Sequence, residues 1–224
     1  TIHNAGLALR LVGRNDDAKQ VLEMGFALQA RESSISLQLA IIAHEDRDFA
    51  KILELLEESS DHPEIISLRA EAIAHVKSPS DALVLLEGID SSSWSQEHRL
   101  MLLSSELTAL SKEGDWVTAI AKCRRAIEEN PGLLRFKILL ARVLRISGDT
   151  DAAAFQLDQI SEDFPSESTM AERVEIATEY RQLGVYDPIV TLLEDQVSTQ
   201  HDSEALRLLF SALISGQKHR AAFT

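Results

Sequence analysis

Three places in this sequence gather side chains that could do chemistry. The run HEDRD, His44 to Asp48, sets one imidazole beside three carboxylates, a donor set suited to a divalent metal or to acid–base work. A zinc-protease arrangement needs a second histidine one helical turn away, and none is there. Cys123 stands beside Lys122, Arg124 and Arg125, and neighbouring cations are how a reactive thiolate is made. The same cysteine also falls on the apolar face of its segment, where a thiol is an inert small hydrophobe. The third gathering is basic. Between Trp116 and Gly148, seven lysines and arginines stand against Glu128 and Glu129, a balance of +5 inside a chain of net charge -14.

Helical geometry sorts those cations. At about 100° per residue, Arg135, Arg142 and Arg145 share one face with Ile138 between them, while Leu140 and Leu144 point the other way. A guanidinium stripe grips carboxylates bidentately. It equally neutralises acidic neighbours in its own chain, and the residues alone leave both readings open. No glycine-rich phosphate cradle, Gly-x-Ser-x-Gly elbow or Cys-x-x-Cys pair accompanies these groups. The expectation is a non-catalytic chain without cofactor or metal.

What must position these residues is a repeat. Turn residues at Gly13, Glu45, Lys77, Gly114, Gly148, Gly184 and Gly216 recur every 32–37 residues, and the fifth position after each is Ala18, Ala50, Ala82, Ala119, Ala153, Ile189 or Ala221. Glycine at a helix end tolerates a left-handed conformation. Asp46, Ser78, Asp115 and Asp149 follow as helix caps, and Pro79 and Pro188 suit a first helical turn. The alanine one turn in is small because two helices cross closely there. Pro63, Pro131 and Pro165 close the second helix of their units. First helices are expected near 2–12, 32–44, 63–76, 94–112, 132–146, 167–183 and 203–215. The composition agrees: 45% hydrophobic residues, few prolines and 5% aromatics favour helices over a turn-rich sheet protein. One hairpin cannot bury its apolar face, so neighbours stack. The fold class expected is all-α, a right-handed α-solenoid of about seven antiparallel helix-turn-helix repeats. Its units are 1–30, 31–62, 63–92, 93–133, 134–167, 168–201 and a truncated 202–224, forming a single array cut from a longer protein.

These residues resemble the tetratricopeptide repeat family. The likeness is fullest at Leu140, Ala141, Leu144, Gly148, Ala153 and Pro165, and at Leu103, Leu110, Gly114, Trp116, Ala119, Ala126 and Pro131. Ile176, Ala177, Tyr180, Gly184 and Tyr186 carry it into the sixth unit, whereas the second and third lack the glycine. The resemblance implies a concave groove lined by the first helix of each pair, holding an extended peptide. On that register Ser104, Ser105, Thr108 and Lys112 join Arg135, Ile138, Arg142, Arg145, Thr178 and Arg181 as candidate partner-binding residues, suited to an acidic peptide. Reversing Arg142 and Arg145 to glutamate is then expected to weaken binding and leave melting unchanged. The first helix offers His3, Asn4, Leu7, Arg10 and Leu11, which does not match the family's carboxylate clamp.

The function expected is a protein-interaction scaffold, the alternative a structural arm of a larger assembly. A nucleic-acid-reading repeat ranks below both, because the acidic balance repels phosphate and only one unit is basic. No apolar run reaches membrane-spanning length. No signal peptide is read at the first residues, but a segment cut from a longer protein need not carry its targeting signal, so the compartment is left open with the cytoplasm favoured. Leu206, Leu209 and Phe210 in the cut last unit are expected to be exposed and to favour self-association.

Overall fold

The computed structural model describes residues 1–28, 33–56, 62–162, 169–197 and 202–222, which hold helices and turns and no strand. By its contacts the chain falls into two compact units, Thr1–Asp115 and Trp116–Thr224, each taken by itself. The first holds α1 (Ile2–Leu11), α2 (Asn15–Leu28), α3 (Ser33–Glu45), α4 (Phe49–Leu55), α5 (Pro63–Val76), α6 (Pro79–Glu87) and α7 (Gln96–Glu113). The second holds α8 (Trp116–Glu129), α9 (Leu134–Ile146), α10 (Thr150–Glu162), α11 (Met170–Leu183), α12 (Asp187–Val197) and α13 (Ser203–Ala222).

Within the first unit α1, α3, α5 and α7 pack in sequence, and α2, α4 and α6 each bridge two of them. The second unit repeats the scheme, with α9, α11 and α13 in a row and α10 and α12 between them. One apolar cluster in that unit draws on five helices, from Ile138 and Ala141 through Leu157, Ile176 and Leu193 to Leu208 and Ala212. Alternating helices thus bury one stripe against the hairpin before and another against the hairpin after.

The turns show why. Gly13, Gly114, Gly148 and Gly184 all adopt left-handed φ of 75–92°. Each donates its amide to the carbonyl three residues back, while the next residue reaches five back, as in Gly148 to Arg145 and Asp149 to Leu144. This is a Schellman ending, which uses up two orphan carbonyls and reverses the chain within a few residues. Asp149 then accepts from the Ala152 amide to cap the next helix. Ser78 caps α6 in the same way ahead of Pro79.

Two turns depart from the sequence reading. In the second unit of the repeat the left-handed residue is Arg47 (φ 58°), not Glu45. The bonds Arg47 to His44 and Asp48 to Ala43 copy the glycine turns, and Asp48, not Asp46, caps α4 through the Lys51 amide. The register is therefore shifted by two, and the step from Gly13 to Arg47 becomes 34 residues. Ala50 is correspondingly exposed, and Ile52 fills the crossing point with no exposed surface. Ala18, Ala82, Ala119, Ala153 and Ile189 occupy that slot elsewhere, each fully buried. An alanine at the expected offset misled the reading because it stood two residues from the true crossing. The second departure is Gly216. No turn forms there, and α13 runs through it to Ala222. The following Gln-Lys-His-Arg holds no capping residue, so nothing competes with helix continuation. Pro165 lies outside the described residues.

The shifted register is testable by denaturant melts. Ile52→Ala should cost about 2–5 kcal/mol as a large-to-small core change, while Ala50→Leu should stay within about 0.5 kcal/mol. Ala153→Phe should lose about 1–3 kcal/mol or more through overpacking.

Candidate functional site

The second unit brings the basic stripe to a focus. Arg142 and Arg145 are one turn apart on α9, which packs against α10 and α11. Facing them from α11 is Glu179, whose side chain is 2% exposed between Ile176, Ala177 and Tyr180. Arg142 Nε donates to Glu179 Oε1 at 2.5 Å and Arg145 Nε to Oε2 at 2.9 Å. The carboxylate is thus held by two guanidinium groups through their Nε edges, with Arg142 39% and Arg145 19% exposed. A carboxylate this deeply buried needs such partners, since desolvation would otherwise disfavour its charge. Tyr180 next to it is fully buried, its hydroxyl donating to Asp158 Oδ1 at 2.8 Å and lying 3.1 Å from Ser161 Oγ. Burial, with the Asp158 bond, raises the phenol well above its ordinary pKa.

The other sequence candidates divide. Arg135 is half-buried on the first turn of α9, and Arg181 is exposed near the end of α11. Ile138 is not available to a partner: at 1% exposure it belongs to the apolar cluster. Neighbouring helices close over the middle of that face, and only arginine stems are long enough to carry their charged ends past it. Thr178 donates its hydroxyl to Val174 O, so its proton is already used.

In the first unit, Ser105 is likewise withdrawn. It is 4% exposed, with Oγ 3.1 Å from both Ser67 O on α5 and Met101 O. Its small side chain lets α5 and α7 approach, and its hydroxyl answers a buried carbonyl. Thr108 donates to Ser104 O, Ser104 is half-buried and Lys112 is exposed. The hydroxyls of Ser105 and Thr108 are therefore taken up by backbone carbonyls.

HEDRD is tied down residue by residue. Glu45 pairs with Arg10, Asp46 with Lys19 at 3.0 Å, and His44 Nε2 lies 3.1 Å from Glu71 Oε2. Asp48 is the α4 cap. The cluster fastens adjacent hairpins, and no group of three or more metal-donating side chains occurs among the described residues. Cys123 has no exposed surface, and burial pushes its thiol up to about 12. That is the inert alternative. Arg124 and Lys137 turn away from the α9–α11 face and rim a depression of about 330 Å³ whose floor includes Leu140 and Ile160.

Glu179 is what the sequence reading missed. A signal existed: it sits three residues after Ile176 and four before Leu183, inside the apolar stripe of α11. An acid at an inward position calls for cations opposite it, and the arginines were already in view.

The architecture defines a helical-repeat protein. Residues 110–172 match the family model described as tetratricopeptide repeat. A tetratricopeptide repeat protein of Parabacteroides merdae aligns over 95% of this chain and 83% of its own, with a TM-score of 0.68 at 15% identity. PilW, a type IV pilus biogenesis factor, aligns over 93% and 96%, with a TM-score of 0.59 at 12% identity. A thermophilic tetratricopeptide-repeat protein of Thermus thermophilus gives 0.53 at 18% identity over 95% and 97%. The chain thus has the helical-repeat fold of tetratricopeptide-repeat structures, and residues 110–172 carry that family's sequence pattern. Among curated proteins it is 31% identical over 140 residues to ALBINO3-like protein 2, chloroplastic, of Arabidopsis thaliana. That match covers 54% of this chain and 26% of the relative, about a quarter of its length.

Glu179 reverses one expectation. Arg142→Glu with Arg145→Glu would set three carboxylates together around a buried site, so stability should fall by about 3–5 kcal/mol, read from urea midpoints. The histidines of the first unit give a pH signature. The Glu71 hydrogen bond raises the His44 pKa, a contribution fully present below about pH 6.5 and lost as pH rises through the folded value. Burial, then Lys112, lowers that of His75, which stacks on Phe49 at 3.8 Å. Its contribution is present above about pH 6.5 and lost as pH falls. His44→Gln leaves only the second, so stability should drop more steeply than in the parent between pH 7 and 5.

Proposed function

We propose that residues 1–224 act as a non-catalytic protein-interaction module that takes an acidic, extended segment of a partner protein on the face carrying Arg135, Arg142, Arg145 and Arg181. The tetratricopeptide fold supports the scaffold class. The observation carrying the finer reading is that two guanidinium groups meet one carboxylate at Glu179, with Arg135 seven residues before Arg142 on the same side of α9. Exposed charge of one sign on a firm helical face attracts the opposite sign and fixes its register. Ser104, Thr108 and Lys112 make the corresponding surface of the first unit. The hydroxyls there contribute acceptors and small size, while Lys112 contributes charge. Nucleic acid does not fit a chain of net charge -14, and no helix among the described residues is long and apolar enough to cross a membrane.

A second reading is an arm within a longer protein. It is favoured by the quarter-length match to ALBINO3-like protein 2. A third, self-association, rests on α13. There Phe210, Leu213 and Ile214 remain 61%, 41% and 55% exposed, whereas Leu206 is half-buried and Leu209 packs on the core.

Peptide-array binding separates these readings. The scaffold reading expects acidic peptides to be selected, with binding that weakens as salt rises and falls several-fold in Arg135→Glu with Arg181→Glu. Absence of any sequence preference would favour the arm. Concentration-dependent light scattering that disappears in Phe210→Ser with Ile214→Ser would establish self-association, and its absence in the parent would remove it.

A further inference from the structure

The basic island between Trp116 and Gly148 is only partly spent inside the chain. Arg125 is taken by Glu129, and Arg142 and Arg145 by Glu179. Arg124 and Lys137 are not: neither side chain meets a hydrogen-bond or ion-pair partner among the described residues. Both rim the depression of about 330 Å³ between α8, α9 and α10. Glu128, Gln156 and Gln159 complete that rim, and their side chains are equally unengaged among the described residues. Arg124 and Glu128 stand four apart on α8, in the same order as Arg125 and Glu129, which pair at 2.8 Å. The spacing that joins one pair leaves the other open.

The first unit supplies a comparison at the same register. A depression of about 350 Å³ lies between α2, α3 and α4. Its Glu23, Phe26, Leu39 and Leu55 hold the places of Arg124, Ile127, Leu140 and Gln156. They stand five and eight residues past the crossing point, eight before the left-handed residue and three past the next crossing point. There the rim is spent on itself. Lys19 meets Asp46 at 3.0 Å, Lys51 meets Glu54 at 2.7 Å, and Asp48 caps α4. Leu55 is buried, where the second unit has an amide.

Charge and shape select the occupant. Arg124 and Lys137 against Glu128 leave +1. Other charges nearby do not alter that balance: Asp149 caps α10 through the Ala152 amide, Asp158 accepts from Tyr180, and Lys122 lies on the opposite side of α8. A monoanion matches such a site, and Glu128 repels a dianion. A guanidinium grips a carboxylate with two parallel bonds, and glutamine amides can donate or accept beside it. The floor of Ile127, Leu140 and Ile160 is aliphatic. Its volume stands near the lower end of the roughly 300–1,000 Å³ of ligand sites, room for one small molecule and not for an extended peptide.

We propose that this depression binds a small monocarboxylate with an aliphatic body, its charged end on Arg124 and Lys137 and its chain on Ile127, Leu140 and Ile160. The site lies on the side of α9 away from Arg142 and Arg145 and does not rest on the acidic-peptide reading. It also acts on the stack. α8 and α10 each pack on α9, so an occupant touching both ties successive second helices together and stabilises the unit by mass action.

The experiment is calorimetric titration of residues 1–224 with octanoate, the comparison probes being 1-octanol, octylammonium, butyrate and inorganic phosphate. Octanoate should bind at least tenfold tighter than octylammonium or butyrate and should raise the melting temperature. No saturable binding at millimolar concentration would overturn the proposal, as would equal binding of octylammonium or tighter binding of phosphate. Arg124→Gln with Lys137→Gln should weaken octanoate at least tenfold and leave octanol as it was, a split that loss of structure would not produce. Retained octanoate affinity in that variant sinks the assignment. Gln156→Leu installs the residue of the first unit. It should abolish octanoate and octanol binding alike while the melt holds or rises, and undiminished binding would place the ligand elsewhere and reject the site. Glu128→Gln should tighten octanoate about threefold, and weaker binding would overturn the simple-carboxylate class. An acetylated peptide ending in a free leucine carboxylate that binds tighter than octanoate would assign the depression to a chain terminus and overturn the small-molecule reading.

Discussion

Everything in this fold depends on how closely the second helix of each pair crosses its neighbours one turn after a left-handed reversal. A hairpin of some thirty residues forfeits roughly 1–2 kcal/mol of backbone entropy per residue on ordering, and its own interface cannot offset that. It must bury a second face against the next hairpin, and the crossing point decides whether it can. Ala18, Ala82, Ala119 and Ala153 meet that demand by smallness. Ile52 and Ile189 meet it with a larger side chain that is equally enclosed. The requirement is a fully filled position at a fixed offset, and alanine is its commonest solution.

Polar groups then adjust what the apolar stacking has set. In the first unit, Arg10–Glu45, Lys19–Asp46 and His44–Glu71 each join one hairpin to the next. These are partly exposed pairs, each worth about 0–1 kcal/mol, so they steer register more than they hold the stack. The Arg142–Glu179–Arg145 group differs because its acid is buried. A residue so placed cannot be left unpartnered without a large penalty, and it fixes how α9 meets α11.

Much of this was legible from residues. The left-handed glycines at 13, 114, 148 and 184 gave away their turns, since little else explains a glycine so regularly followed by a new amphipathic run. Most limits of the first helices followed to within a few residues, the end of α13 excepted. Arg47 was hidden because a non-glycine in that conformation carries no sequence mark, and a nearby alanine imitated the repeat. Gly216 misled in the opposite direction, a glycine with no cap behind it. At the candidate site the arginines could be read from helical periodicity, because charge on one face is a local property. Glu179 could not be paired with them, since that contact spans 37 and 34 residues and depends on how two hairpins settle together. Ile138 and Ser105 were misplaced for the same reason: one helix's azimuth does not say what its neighbour covers.

The two halves of that acid–base group come from different hairpins, the arginines from α9 and the glutamate from α11. Neither hairpin can complete the group by itself: parting them would strand a buried acid and leave two guanidinium groups without their anchor. The joint is thus closed by charge as well as by shape. A change of residue on one side of it is felt on the other.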